Sequence, residues 1–203
     1  MLTLHFSSNS RSQRVLWLLE EMSLSYELNK IKFHPSELKS EEHRKRHPLG
    51  RVPVLEDNDV TIYESGAIIE YIIAKYDSKG LKPSVDDKLF PSYLQWYHYC
   101  EGMVMPPMNA IVVHTLILPP ERRDPEVLRQ AKNLLAKSIL PVDALLDKNK
   151  FLIRDEISGV DFMLGHSLFM ANNLKCVGDD MKNIIRYLEL IKSLKSFDKA
   201  INT

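Results

Sequence analysis

The sequence predicts a small α/β domain followed by an all-helical domain, and two observations support this prediction. Within about the first 78 residues, the apolar pattern changes repeatedly between the alternation typical of strands and the spacing typical of helices. After a polar segment containing Gly and Pro at residues 77–86, only helical spacing recurs. The length of 203 residues also suits two small domains.

The α/β domain, at residues 1–78, is predicted to have the order βαβαββα. Two β-rich runs late in this domain are separated by Asp57, Asn58 and Asp59, and this spacing predicts a hairpin. The predicted elements are a strand at 2–6, a helix marked by apolar residues at 15–22, a strand at 26–31, a polar helix at 36–46, the two β-rich runs at 52–56 and 60–63, and a helix from about residue 64.

The second domain, at residues 87–203, is predicted to be entirely helical, with residues 77–86 as a linker. Its first apolar stretch, residues 89–118, contains Pro106 and Pro107. Because proline removes a helix donor and clashes with the preceding turn, we expect a kink or a break there. Further helices are predicted at 124–147, 160–172, 181–190 and 194–201.

The composition argues against several functional classes. There are 27 basic and 27 acidic residues, and a formal net charge of zero argues against a general nucleic-acid or membrane-surface binder. Cys100 and Cys176 lie far apart with no Cys/His cluster, which disfavours a disulfide scaffold and a metal site. There is no apolar run of membrane-spanning length and no signal peptide at the N-terminus. We therefore expect a cytoplasmic protein without a metal, nucleic-acid or membrane partner.

Two short segments are candidates for ligand binding. Pro53 opens a predicted strand, and if the bond before it is cis, the Val52 N–H and C=O both face outward and can pair with an extended peptide. Glu64 and Ser65 precede a helix, whose N-terminus suits a carboxylate, while the Glu64 side chain can accept an ammonium group. The alternatives are that Pro53 merely opens the strand and that Glu64 and Ser65 merely cap the helix.

Residues 47–55 (HPLGRVPVL) and 64–68 (ESGAI) together resemble the paired glutathione-binding motifs of cytosolic glutathione transferases. The segments 14–19 and 101–108 are similar to those of a fungal and bacterial branch of that family. The predicted βαβαββα order is similar to the thioredoxin-like domain of that family, and the helical remainder is similar to its second domain. Residues 158–161 (SGVD) resemble the N-capping box of the family. The resemblance implies an enzyme that adds glutathione thiolate, from glutathione as co-substrate, to small apolar electrophiles. It also implies a homodimer and leaves glutathione-dependent peroxidase activity open.

The resemblance further implies a role for each residue of the paired motifs. Val52 pairs through its backbone with the cysteinyl part of glutathione, beside a cis Pro53. Glu64 and Ser65 hold the γ-glutamyl amine and carboxylate. Arg51 approaches the glycyl carboxylate, with a solvated surface charge as the alternative.

The loop at residues 7–12 (SSNSRS) holds the candidates for thiol activation. The thiolate is the nucleophile, and one hydrogen bond from an amide or hydroxyl stabilises it. The family places Tyr, Ser or Cys in this loop, whereas the matching position here holds Asn9. Ser10 is the second candidate and Ser12 the third, and the alternative is that these small polar residues form only a turn and an N-cap. Because the loop has no cysteine, chemistry through a mixed disulfide is disfavoured.

Two questions stay open at the level of sequence. The departure at Asn9 leaves a rival interpretation, in which the fold is a non-catalytic ligand-binding or protein-interaction module. The second-substrate pocket also has an alternative, since Met and aromatic residues at helical spacing are more often part of a plain core. These candidates are Tyr97, Met103, Met105, Met108 and His114.

Overall fold

The computed structural model describes all 203 residues, and the chain forms two compact units. The first unit combines Met1–Leu81 with Lys192–Thr203, and the second is Lys82–Ile191. The first unit therefore includes the C-terminal segment, which the sequence pattern groups with the helical remainder. The domain limits of 1–78 and 87–203 stay a prediction.

The first unit is built on a four-stranded mixed sheet in the order β2-β1-β3-β4. β1 pairs in parallel with β2 and antiparallel with β3, and β4 completes a hairpin with β3. This arrangement confirms the predicted βαβαββα domain. The strands are β1 (Leu2–Phe6), β2 (Tyr26–Lys30), β3 (Val54–Asp57) and β4 (Val60–Tyr63).

The helices follow the predicted spacing closely. In chain order they are α1 (Ser12–Glu21), α2 (Pro35–Leu38), α3 (Glu41–Arg46), α4 (Ser65–Tyr76), α5 (Phe90–Tyr99), α6 (Met105–Val112), α7 (Pro125–Leu146), α8 (His166–Asn173), α9 (Lys182–Lys192) and α10 (Lys195–Asn202).

The polar helix predicted at 36–46 is divided into two short helices, α2 and α3, because each has its own N-cap. The His34 side chain accepts a hydrogen bond from the Ser36 N–H at the start of α2. The Ser40 hydroxyl accepts one from the His43 N–H at 3.2 Å, which starts α3. Capping side chains satisfy N–H groups that have no partner inside a helix, so two caps within this segment favour two helices.

Helix α10 completes the core of the first unit by packing on α1. The ring of Trp17 meets that of Phe197 edge-on, with the centroids 4.7 Å apart. At the margin of this contact, Lys199 forms an ion pair with Glu20 at 2.6 Å. Burial of two large aromatic rings contributes several kcal/mol, of the order of 3–5 for each ring lost on substitution by alanine.

In the second unit, the expected break at the paired prolines takes the form of a π-helical turn. The turn spans Cys100–Val104, between α5 and α6, and its bond from the Met105 N–H reaches back five residues to the Cys100 carbonyl. Pro106 and Pro107 follow directly, in the first turn of α6.

The residues that resemble an N-capping box form a buried network in the second unit. Asp161 accepts hydrogen bonds from the Ser158 N–H at 2.8 Å and the Ser158 hydroxyl at 2.9 Å. Its other oxygen accepts from the Leu152 N–H and from the Tyr187 hydroxyl, at 3.1 and 2.9 Å. Burial outweighs these donors and raises the pKa of Asp161 to about 6.

Three features of the structure concern other kinds of site. Both cysteines are buried and neither forms a disulfide. No three His, Cys, Asp or Glu side chains are grouped as the ligands of a metal ion would be. The helices also lack the combination of length and apolar character needed to cross a membrane.

Candidate active site

The register of the sheet brings three segments to one edge. β1 ends at Phe6, and His5 stands opposite Val54, the first residue of β3. Val54 is also opposite Tyr63, the last residue of β4. The loop after β1, the Val52–Pro53 pair before β3 and the start of α4 after β4 therefore share one edge of the sheet. Together with Arg51, which directly precedes Val52, these segments contain every residue predicted to bind glutathione or activate its thiol.

The Val52–Pro53 peptide bond is cis, as the resemblance implies. Pro53 is buried, while Val52 is half-buried. Neither the N–H nor the C=O of Val52 makes a hydrogen bond within the protein. Because unpaired backbone groups are rare away from water, this pair is available to an extended ligand that adds to the sheet.

Glu64 has a backbone conformation that non-glycine residues seldom adopt, with φ 73° and ψ 112°. Such conformations cost of the order of 1–3 kcal/mol and cluster at functional sites. The side chain is exposed and makes no capping hydrogen bond to α4. The capping interpretation therefore fails for the Glu64 side chain, and its carboxylate is available to a cation.

Ser65 is buried at the first position of α4 and contacts a buried arginine. The Nη1 atom of Arg14 donates to the Ser65 hydroxyl oxygen at 3.3 Å. Arg14 is fully buried within α1. Its charge adds to the positive end of the α4 dipole, so this helix terminus is a strong site for a carboxylate.

Arg14 is a residue of the candidate site that the sequence reasoning missed. The available signal is a lone arginine at the start of an otherwise apolar helical run, Val15 to Leu19. A charged side chain in such a run is either at the surface or paired in the interior, and buried cations need a partner.

The three candidate activators in the loop differ in how their side chains are used. The Ser10 hydroxyl donates to the Ser7 carbonyl at 2.6 Å and accepts from the Ser12 N–H at 3.1 Å. Ser12 is fully buried, and its hydroxyl lies 2.9 Å from that of Ser10. Both serines therefore stabilise the turn from β1 into α1.

Asn9 is the exception in this loop. It has a φ of 55°, a left-handed conformation that asparagine tolerates better than most residues. Its side chain is exposed and makes no hydrogen bond within the protein. Of the three candidates, Asn9 is the exposed one, and its side chain alone makes no hydrogen bond within the protein.

The loop before Val52 supplies further positive charge. Arg51 is exposed and forms no ion pair or side-chain hydrogen bond. The ammonium group of Lys39, which the sequence reasoning did not single out, bonds to the Leu49 and Gly50 carbonyls. Gly50 has a φ of +55°, and a Cβ there would lie 2.1 Å from the Leu38 carbonyl oxygen. Only glycine fits this turn, which leads directly into Arg51 and Val52.

The second-substrate candidates do not share one environment. Tyr97, Met105 and Met108 are buried within the second unit, which supports the core alternative for these three. Met103 is 49% exposed and lies in the π-helical turn Cys100–Val104. The His114 ring accepts a hydrogen bond from the Asp124 N–H at 3.0 Å.

Comparison with known proteins gives a consistent result. The family model for the N-terminal domain of glutathione S-transferase matches residues 2–74. Glutathione S-transferase hmp2 of Hypomyces subiculosus is 31% identical, over 96% of this chain and 95% of its own length. Glutathione S-transferase 3 of Schizosaccharomyces pombe is 29% identical, over 94% of this chain and 83% of its own.

Solved structures agree with the sequence comparisons. A glutathione S-transferase from Actinobacillus pleuropneumoniae has a TM-score of 0.81 at 28% identity, and the match covers 100% of this chain and 92% of that one. Poplar glutathione transferase F1 has a TM-score of 0.86 at 26% identity, with 99% and 96% covered.

The sheet, the cis-proline and the helical second unit define a transferase with a thioredoxin-like N-terminal domain. The chain belongs to the glutathione S-transferase family. This membership confirms the family and enzyme class that the paired motifs predict, and it favours the enzyme over the non-catalytic module.

Proposed function

We propose that the protein binds glutathione along the Val52 edge of the sheet and transfers its thiolate to apolar electrophiles. The observation that carries this proposal is the unpaired backbone of Val52, before a cis Pro53, on the same edge as the start of α4. A tripeptide with a free amine and two carboxylates needs a backbone partner, an anion and cations, and this edge supplies each of them.

Each part of glutathione has a matching group. The cysteinyl N–H and C=O pair with the backbone of Val52. The γ-glutamyl carboxylate binds at Ser65 and the α4 N-terminus above the Arg14 charge, and the γ-glutamyl ammonium binds to Glu64. The glycyl carboxylate approaches Arg51. Because each ligand charge meets an opposite charge locally, a protein of zero net charge can bind this ligand specifically.

Thiol activation is assigned to the Asn9 amide, which is exposed and uncommitted. A free thiol has a pKa of about 8.5, and each unit of lowering corresponds to about 1.4 kcal/mol. One N–H donated to a thiolate, together with the N-terminus of α1, supplies about that much. The thiolate then forms a bond to the electrophilic carbon, and the displaced group leaves with the bond electrons.

Three finer features belong to the same proposal. The electrophile is small and apolar, the substrate class that the motif resemblance implies. Peroxidase activity on organic hydroperoxides requires no protein cysteine, since glutathione itself supplies the thiol. The motif resemblance supports a homodimer, a cytoplasmic location and a role in detoxification.

The proposal is tested by three measurements on the unaltered protein. Calorimetry measures glutathione binding, thiolate absorbance against pH measures the pKa of the bound thiol, and turnover is followed with an activated aryl halide. We expect binding, a thiol pKa at least one unit below the free value, and turnover. Binding without a lowered thiol pKa would refute the enzyme and support the non-catalytic module. Absence of binding would refute the glutathione site.

A further inference from the structure

The side chain of His43, outside the motifs that bind glutathione, makes one hydrogen bond, and that bond reaches the binding edge. Its Nε2 lies 2.8 Å from the Arg51 carbonyl oxygen. A carbonyl only accepts, so Nε2 carries the proton and donates. The ring is buried, and its Nδ1 has no hydrogen-bond partner. A leucine would fill the same space without leaving a buried nitrogen unpaired, so the contact with Arg51 is what explains a histidine here.

The Arg51 carbonyl and the Val52 N–H belong to the same peptide group. That group is planar, so a hydrogen bond that fixes its oxygen also fixes the direction of its N–H. A donor on the oxygen further polarises the amide, which makes the N–H a better donor on the other side. His43 therefore acts on the Val52 donor without touching a ligand.

A polar network holds α3, and with it His43, in this position. Arg46, one turn after His43, forms an ion pair with Glu56 of β3, with Nε and Oε1 3.2 Å apart. The other Glu56 oxygen accepts from Nε2 of His5 at 2.9 Å. The Nδ1 of His5 accepts from the Asn29 amide at 3.0 Å, which fixes the tautomer of that ring. The network ties α3 to β1, β2 and β3, so His43 has little freedom to leave the Arg51 carbonyl.

We propose that His43 is a positioning residue for glutathione, which orients and polarises the Val52 N–H toward the cysteinyl carbonyl of the ligand. This inference rests on the proposed glutathione site. It assigns to α3 a function in affinity that is separate from activation of the thiol.

The test compares His43→Leu, which removes the donor, with His43→Gln, whose amide nitrogen reaches about as far as Nε2. Arg44→Leu, an exposed change on the same helix, is the matched control. We expect His43→Leu to weaken glutathione binding about tenfold in calorimetry, the effect of one good hydrogen bond. The KM for glutathione rises in proportion, while kcat at saturating glutathione and the pKa of the bound thiol stay near those of the unaltered protein.

His43→Gln should restore most of the affinity, and Arg44→Leu should bind glutathione like the unaltered protein. In the ligand-free protein, the amide resonance of Val52 should shift in His43→Leu and move back in His43→Gln. A folded His43→Leu protein that binds within twofold of the unaltered protein would overturn the inference. A rise in the pKa of the bound thiol that matches the loss of affinity in His43→Leu would also overturn it, because His43 would then act on the sulfur.

A second comparison applies if His43→Leu does not fold. His43→Asn keeps an amide but is too short to reach the Arg51 carbonyl, so His43→Gln should bind glutathione more tightly than His43→Asn. Equal affinities would overturn the inference. If the unaltered protein binds no glutathione, the proposed glutathione site is wrong. If only the His43 inference is wrong, the unaltered protein still binds glutathione.

Discussion

Replacing Asn9 by aspartate separates the chemistry of the activation loop from its stability. The two side chains have the same shape, and both tolerate the left-handed backbone at this position. The change removes an N–H donor and introduces a negative charge in its place. The fold should therefore survive, while the environment of the glutathione sulfur becomes unfavourable to a thiolate.

The expected size of the effect follows from two contributions. Loss of one hydrogen bond to the thiolate costs about 1.4 kcal/mol, or one pKa unit. Repulsion between two charges about 4 Å apart adds about 1 kcal/mol at the dielectric constant of water. That dielectric constant applies because Asn9 is exposed. The pKa of bound glutathione should rise by about two units in Asn9→Asp, and turnover at neutral pH should fall about ten- to a hundredfold.

The assay is thiolate absorbance and turnover against pH, with Ser10→Ala as the matched variant. Turnover by Asn9→Asp should recover as the pH rises above the new thiol pKa. Ser10→Ala breaks the bonds to the Ser7 carbonyl and the Ser12 N–H, so it should lower the free energy of unfolding by about 1–2 kcal/mol. Its bound thiol should keep the original pKa. The reverse pattern, a raised thiol pKa in Ser10→Ala alone, would refute the assignment to Asn9.

Three further predictions concern backbone strain, acid stability and the C-terminal helix. Glu64→Gly should leave the free energy of unfolding unchanged or raise it by up to about 1 kcal/mol, because glycine relieves the positive φ, and should weaken glutathione binding at least about tenfold by calorimetry. The ammonium of Lys75, with two tyrosine hydroxyls, lowers the pKa of Asp57 to about 2. Since the folded pKa is below the unfolded one, this stabilisation is complete above about pH 4 and is lost as the pH falls toward 2. Asp57→Asn should remove about 1–2 kcal/mol of acid-dependent stability in urea titrations, an amount reduced by the partial exposure of Lys75. Phe197→Ala should lower the unfolding free energy by about 3–5 kcal/mol in chemical denaturation, because it removes the contact with Trp17.

Each of these has a clear contrary result. Unchanged glutathione affinity in Glu64→Gly would mean that the Glu64 carboxylate does not bind glutathione. An Asp57→Asn protein with the acid-unfolding profile of the unaltered chain would mean that the Lys75 contact contributes nothing. A change below about 1 kcal/mol in Phe197→Ala would mean that α10 is not part of the folded core.

Local features of the fold were predictable because they depend on neighbouring residues. The strand at 2–6 and the hairpin around Asp57 follow from a short period and a turn sequence, and the structure has both. The cis bond before Pro53 came from the family resemblance, since its position in the sequence allows a trans bond equally well. The division of the 36–46 helix was missed because a cap at Ser40 depends on side-chain geometry.

The contacts that build the site are not local, and periodicity carries no information about them. Arg14 and Ser65 lie 51 positions apart, and His43 reaches Arg51 only because α3 is tied to the sheet. The amphipathic pattern of α10 indicates that one face is buried, but it does not name α1 as the partner. Likewise, the sequence presents Asn9, Ser10 and Ser12 as equivalent small polar residues, and the hydrogen bonds of the folded loop distinguish them.

The packing of α10 on α1 has a consequence for how the chain is made. Because the first unit contains both ends of the chain, residues 82–191 are an insertion within it. During synthesis, the sheet and α1 emerge from the ribosome before residues 82–191, and α10 with Phe197 emerges after them. At usual elongation rates that delay is of the order of ten seconds. For that time the apolar surface of α1 around Trp17 lacks the contact with Phe197 and stays exposed to solvent.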